Sequence, residues 1–331
     1  MGIVVTDHNR RRLVLAGAAL SGAPLTNAFA QTGPYPNRPV KIVVGAAPGG
    51  LSDAYARLFA EQFTARFGQP CVVENRPGAS GIIATEAVVK SPPDGYTLLS
   101  TTTGMLWQTR VLYRKLPFDL AKDIAPITVF PSGPLVLAVQ EKTGVRNLAE
   151  LIEYARRNAC TMGSYAAASY PHVFGETLKR EFGGKVEAIQ YKGEGPMWVD
   201  MGSGAITMAV GSYQAFATVK DKGVRPIAAT GQYRSPKLPE IPTLIEQGMK
   251  SPVSRLEGGL ALSTHSAVPV EILEMLSKVA VDGNETPRAR ALRENFAIPD
   301  MTKGRADALR MWREDANVWI REVQALGVTL D

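Results

Sequence analysis

Residues 40–53 constrain this chain more than any other stretch. An apolar run, Val40-Lys41-Ile42-Val43-Val44, passes into Ala46-Ala47-Pro48-Gly49-Gly50-Leu51-Ser52-Asp53. The pattern predicts a strand over 40–46, a glycine turn, and a helix start capped by Ser52 or Asp53. Such a turn aims free backbone N–H groups and the positive end of a helix at one spot, which suits an anion. No Lys-Ser/Thr follows the glycines and the G-x-G-x-x-G spacing is absent, so neither a phosphate loop nor a dinucleotide fingerprint is present. A small carboxylate fits the turn better.

Strand and helix patterns alternate along the rest of the chain, as in a mainly parallel α/β sheet. A helix is expected over 52–67, with Ala54, Leu58, Phe59 and Phe63 on one face. A strand over 71–74, a glycine-opened helix over 78–89 and a strand over 96–100 follow, and the chain changes direction near Ile127. Further strands are expected at 136–139, 160–164, 186–191, 206–210 and 226–230. Between them fall helices at 148–157, capped by Asn147, and at 172–181 and 195–202. From Leu256 the pattern reverts, ending in helices at 271–281, 288–295 and 304–326. This organisation implies a discontinuous first lobe, residues 31–130 plus 252–331, with a second lobe, 131–251, inserted into it. Two chain crossings between the lobes make a hinge.

The N-terminus bears on location. Arg10, Arg11 and Arg12 precede an uncharged run over 13–29 that ends Ala28-Phe29-Ala30. A basic region, an apolar region and an A-x-A end describe a secretory signal peptide over residues 1–30, cleaved after Ala30 and directing export. Twin-arginine export fits only loosely. The formal charge of the chain is +6, scattered without a basic tract interleaved with aromatics, which argues against nucleic acid. Cys71 and Cys160 have no metal-ligand spacing and fall in different lobes, so free, mostly buried thiols are expected. Neither a metal nor a cofactor is called for.

The second lobe has its own anion candidate. Met162-Gly163-Ser164 ends a strand, Ala166-Ala167-Ala168-Ser169 forms a small-residue loop, and Pro171-His172 opens a helix. Ser164 and Ser169 offer hydroxyls, although Ser169 fits equally as a helix cap. Tyr191-Lys192-Gly193 ends another strand, where Lys192 is placed to offset a carboxylate. Ligands of open α/β sheets sit beyond the carboxyl ends of the strands. Two such ends on hinged lobes predict a clamshell.

The chain also resembles a known family. Tyr35-Pro36 through Pro39-Val40-Lys41-Ile42-Val43-Val44, Pro48-Gly49-Gly50 with Asp53, Ala56 and Arg57, Glu74-Asn75-Arg76-Pro77-Gly78 and Pro93-Asp94-Gly95-Tyr96-Thr97-Leu98 carry the likeness. Gly163-Ser164, Pro171-His172, Tyr191-Lys192-Gly193, Gly195-Pro196 and Ile241-Pro242-Thr243 continue it in order. These pieces resemble the Bug family, the solute-binding proteins of the tripartite tricarboxylate transporter system. The resemblance implies a two-lobed periplasmic-binding-protein fold (Venus flytrap, type II) and a monomer. Such a receptor captures a small organic carboxylate, a dicarboxylate or an aromatic acid, and delivers it to the membrane subunits of the transporter. One end of the ligand is expected at Ala47, Gly49, Gly50, Ser52 and Asp53 with Thr101, Thr102 and Thr103. The other end is expected at Ser164, Ala168, Ser169, Tyr191, Lys192 and Gly193. Asp53 is further expected to cap its helix or to pair with Arg57, and a Trp in place of Ser164 to block closure while leaving the fold intact. The chain departs from the family at Tyr165 and Tyr170, where small residues are common, and at Thr207, where Asp is common. Tyr165, Tyr170 and Trp107 are candidates to line the cleft.

Two competing readings remain. A sensing partner of a membrane kinase would keep the same lobes. An exported hydrolase or isomerase finds little support, because neither His172 nor His265 lies in an H-E-x-x-H spacing and no G-x-S-x-G elbow is present. No catalytic residue is assigned.

Overall fold

A computed structural model describes residues 33–256 and 258–327, so the expected signal peptide lies outside the described residues. The chain divides after Asn37 into two units. In the first, the described residues 33–37 form bends, with the Asn37 side-chain amide donating to the Gly33 carbonyl at 2.9 Å.

The second unit opens with β1 (Val40–Val44), α1 (Leu51–Phe67), β2 (Cys71–Asn75), α2 (Ile82–Val89), β3 (Thr97–Thr102), α3 (Thr103–Leu112), α4 (Leu120–Asp123) and β4 (Ile124–Pro131). It continues with β5 (Val136–Gln140), α5 (Leu148–Arg157), β6 (Cys160–Ser164), α6 (Tyr170–Phe182), β7 (Val186–Gln190), α7 (Glu194–Ser203), β8 (Met208–Gly211), α8 (Tyr213–Ala217) and β9 (Val224–Ala229). It closes with β10 (Gly259–His265), α9 (Val270–Asp282), α10 (Pro287–Asn295) and α11 (Arg305–Ala325). The strands form two five-stranded sheets, ordered β2-β1-β3-β10-β4 and β7-β6-β8-β5-β9. In each, one strand runs against the rest: β10 is antiparallel to β3 and β4, and β5 to β8 and β9. The two sheets thus repeat one topology that leaves no trace as a sequence repeat.

Strands β1 and β5 read as mostly apolar runs, as expected of strands covered on both faces. Val40, Ile42, Val43 and Val44 of β1 and every residue of β5 are buried. Helix α5 buries Leu148, Leu151 and Ala155 at helical spacing, and the Asn147 side chain caps it by accepting the Glu150 amide. Five elements escape the sequence patterns, namely α3, α4, β4, α8 and β10. Strand β4 contains Pro126 and ends at Pro131, which reads as a break. It tolerates both because it is an edge strand, paired only with β10. Cys71 and Cys160 are unpaired and lie in different sheets, and burial raises both thiols, Cys71 to about 12.

Sheet direction determines where a ligand can meet this unit. β1 lies between β2 and β3, and β6 between β7 and β8, so each sheet has a topological switch point, at β1/β3 and at β6/β8. Residues 132–135 leave the carboxyl end of β4 and enter β5 at Val136, which pairs with Gly211 and Ala229 at the carboxyl ends of β8 and β9. Residues 230–258 return from β9 to β10, whose Leu260 pairs with Thr102 at the carboxyl end of β3. Both connections therefore join the two ligand-type ends. Ser132 Oγ, in the first connection, donates to the Gly258 carbonyl in the second at 2.8 Å. The link between sheets is not limited to these two crossings. Helix α11 packs on α3 and β4 through Trp312 against Trp107, and reaches α6 through Trp319 against Tyr170 and Glu322 against Arg180.

Candidate functional site

At the first switch point, β1 runs out into an exposed turn, Ala47-Pro48-Gly49-Gly50. Gly49 has φ +88°, open to glycine without strain. The N-cap of α1 is Gly50, with no side-chain cap, so neither Ser52 nor Asp53 holds the capping position. Both lie in the first helical turn and are buried. Asp53 instead braces the turn from beneath. It accepts from the Gly49 amide at 3.1 Å, from Arg57 at 2.9 and 3.0 Å, and from Asn75 Nδ2 at 3.0 Å. The expected pairing with Arg57 is present. Burial pushes the Asp53 carboxyl up, but these bonds outweigh it and hold it below the ordinary 3.8. Asn75 also donates to the Ala46 carbonyl at 3.0 Å, tying the end of β2 to the turn. The amides of Ala47 and Gly50 have no partner among the described residues.

The three threonines divide their roles. Thr101 is buried, and its hydroxyl lies 3.2 Å from where a side chain on either Gly45 or Gly81 would begin. Thr102 caps α3 by accepting the Met105 amide at 3.2 Å. Thr103 is fully buried and engages both backbone groups of Gly259. Beside them lies a feature that the sequence pattern did not reveal. Residues 79–81 form a separate 3-10 turn rather than the opening of α2, and 78–81 all have positive φ, +125° at Gly78, +44° at Ala79, +50° at Ser80 and +83° at Gly81. Two successive non-glycine residues in that region are strained, a condition that clusters at functional sites. Gly-Ala-Ser-Gly between a strand and a helix was the available signal.

At the second switch point, Ser164 is fully buried, with its hydroxyl donating to the Ala166 carbonyl at 2.7 Å and 2.9 Å from Ser169 Oγ. A Trp there has no room with the fold intact, contrary to the expectation from sequence. Ser169 occupies the N-cap of α6 without making a cap bond. Ala168 is buried at φ +54° and donates its amide to His172 Nδ1 at 2.9 Å. His172 is thus an internal acceptor, and burial lowers its pKa. The Tyr191 hydroxyl donates to Asp200 at 2.7 Å, Lys192 is exposed with no ion pair among the described residues, and Gly193 (φ +106°) is the N-cap of α7.

The aromatic candidates divide as well. Tyr170 is buried, packs on Phe174 and Trp319, and donates to the Val253 carbonyl at 2.9 Å. Trp107 is buried against Trp312. Neither lines a cleft. Tyr165 is half-buried beside Glu194. Thr207 exchanges backbone and hydroxyl bonds with Thr161 at the start of β6 and β8, the end remote from the switch point.

Sequence reasoning overlooked Glu194 and Ser212. Glu194 opens α7, and its carboxylate accepts from Ser212 Oγ at 2.6 Å and from the Ser212 amide at 3.1 Å. Burial pushes this carboxyl up, against the opposing pull of the Ser212 bonds. A separate hollow lined by Ser132, Gly133, Thr230, Gln232, Asp300 and Lys303 flanks the crossings on the β4 and β9 edges, away from both switch points.

Known proteins share this arrangement. The protein from R. palustris described as Rpa4515 with adipate superposes with a TM-score of 0.77 at 30% identity, covering 89% of this chain and 99% of that one. The periplasmic binding protein BugD superposes at 0.73 and 25% identity over 89% and 99%. Protein BugT of Bordetella pertussis is 31% identical over 292 residues, 84% of this chain and 88% of BugT. These likenesses make the fold a two-lobed periplasmic-binding-protein fold with mixed α/β sheets. Residues 55–328 match the family described as tripartite tricarboxylate transporter family receptor. The family is one of substrate-binding receptors, which removes the exported-enzyme reading. The chain belongs to the tripartite tricarboxylate transporter receptor family.

Proposed function

We propose that this protein closes the carboxyl ends of its two sheets over a small organic carboxylate and presents it to the membrane subunits of a tripartite transporter. The observation that carries the reading is the pair of switch points at the hinge, one of them bearing the unpartnered amides of Ala47 and Gly50. The adipate in the 30%-identical R. palustris protein supports the same ligand class. One carboxylate end meets Ala47, Gly49 and Gly50 with Thr101 and Thr102, while Ser52, Asp53 and Thr103 hold that surface from behind. Ala168, Ser169, Tyr191, Lys192 and Gly193 contribute to the far side, over Ser164. Residues 31–130 with 252–331 act as one lobe and 131–251 as the other, hinged at the crossings. Among the described residues no helix is long and apolar enough to cross a membrane. We assign the protein to the periplasm as a monomer, matured by cleavage after Ala30.

Thermal unfolding of residues 31–331 against aliphatic diacids, hydroxy acids, amino acids and benzene carboxylates tests the reading. Ligand at 100 times its Kd adds about 2.7 kcal/mol, a shift of several degrees. One clear hit supports a carboxylate receptor, whereas a flat panel on ligand-free protein overturns it.

A further inference from the structure

The two ends of the site differ in what they have left to offer a ligand. At the first, the buried carboxylate of Asp53 is consumed by Gly49, Arg57 and Asn75, and the Ala47 and Gly50 amides have no partner among the described residues. At the second, the reverse holds. Glu194 follows β7 and reaches Ser212, which follows β8, so its carboxylate spans the end of β6, the strand between them. The Ser212 amide and hydroxyl are donors of the kind an anion would use here, and both are taken by the chain's own carboxylate. One Glu194 oxygen accepts both short bonds, whereas the other accepts only the Ser212 amide at 3.3 Å. A carboxylate has about four lone-pair sites, so that second oxygen keeps acceptor capacity. Glu194 is half-buried and has no ion-pair partner among the described residues. Burial raises this carboxyl, and a cation or N–H donor beside its second oxygen would favour the ionised form.

Resting on the carboxylate-receptor reading above, we infer that Glu194 recognises an N–H-bearing group at the far end of the ligand. The preferred ligand is then a monocarboxylate with a distal ammonium or amide, bound with its carboxylate on the Ala47–Gly50 turn and its donor on Glu194. A second carboxylate at this end meets a carboxyl that already holds both donors of Ser212. Lys192 is exposed at the rim, two residues before Glu194, and makes no bond to it.

Matched pairs of equal length test this by calorimetry at pH 7. The pairs are adipate against 6-aminohexanoate and against adipic acid monoamide, glutarate against 5-aminopentanoate, and terephthalate against 4-(aminomethyl)benzoate. In wild-type protein the nitrogen-bearing member of at least one pair binds about tenfold or more tighter than its diacid. In Glu194→Gln the ammonium preference disappears and the diacid tightens by about tenfold. Diacids binding as well as their partners in every pair overturns the inference while leaving the carboxylate reading standing. A preference unmoved in a folded Glu194→Gln overturns it as well. If that variant does not fold, the wild-type pairs decide alone. Silence from every carboxylate removes both readings.

Discussion

Asp53 has a charge that argues against a role at an anion site, yet its surroundings turn it into support for one. Its carboxylate draws the Gly49 amide, Asn75 and Arg57 into one cluster, beside Ala47 and Gly50 amides that have no partner among the described residues. Asp53→Asn is expected to cost about 1–2 kcal/mol in chemical denaturation at pH 7, since buried donors lose a charged acceptor. The pH dependence follows from the depressed pKa. The contribution of Asp53 is fully present above the ordinary 3.8 and is lost as pH falls through the lower folded value. Acid titration of Asp53→Asn should therefore converge with wild type below that range; a gap that persists there refutes the electrostatic account. Arg57 is half-exposed, so the ion pair itself contributes little.

At the scale of elements, the left-handed turn at residues 78–81 joins β2 to α2 beside Gly45 and Thr101. Each L-residue held in that region costs roughly 1 kcal/mol, and Ala79 is exposed, so no packing repays it. Ala79→Gly should raise stability by about 0.5 kcal/mol after the added freedom of the unfolded chain is counted. A lower denaturation midpoint in that variant refutes the assignment of strain. Elements with continuous apolar runs or clear caps, such as β1, β5 and α5, were legible in the sequence. The turn at 78–81 and strand β4 were not, because local propensity describes neither a conformation enforced by neighbouring strands nor a proline tolerated at a sheet edge.

For the whole molecule, α11 is a third link between the sheets. Its Trp312 packs with Trp107 near the first, and its Trp319 with Tyr170 near the second. Movement of one sheet relative to the other must bend around or slide along this helix. Trp319→Ala should cost about 3–5 kcal/mol and separate the unfolding monitored at the two sheets into distinct transitions. A loss under about 1 kcal/mol, well below that for a buried Trp, refutes the linking role.

Local chemistry alone established several features of this protein. The alternation of strands and helices, the Gly-Gly turn after β1 and the free cysteines follow from residue type and spacing along the chain, which also narrowed Asp53 to a helix cap or a pair with Arg57. The tertiary structure decided what depends on segments far apart in sequence. It buried Tyr170, Trp107 and Ser164, turned Asp53 inward, and brought Glu194 onto Ser212 across the end of β6. A hydrophobic period reports which face of an element is covered, but the covering partner comes from elsewhere in the fold. Which polar groups at the two sheet ends remain open to a ligand is set only when those partners meet.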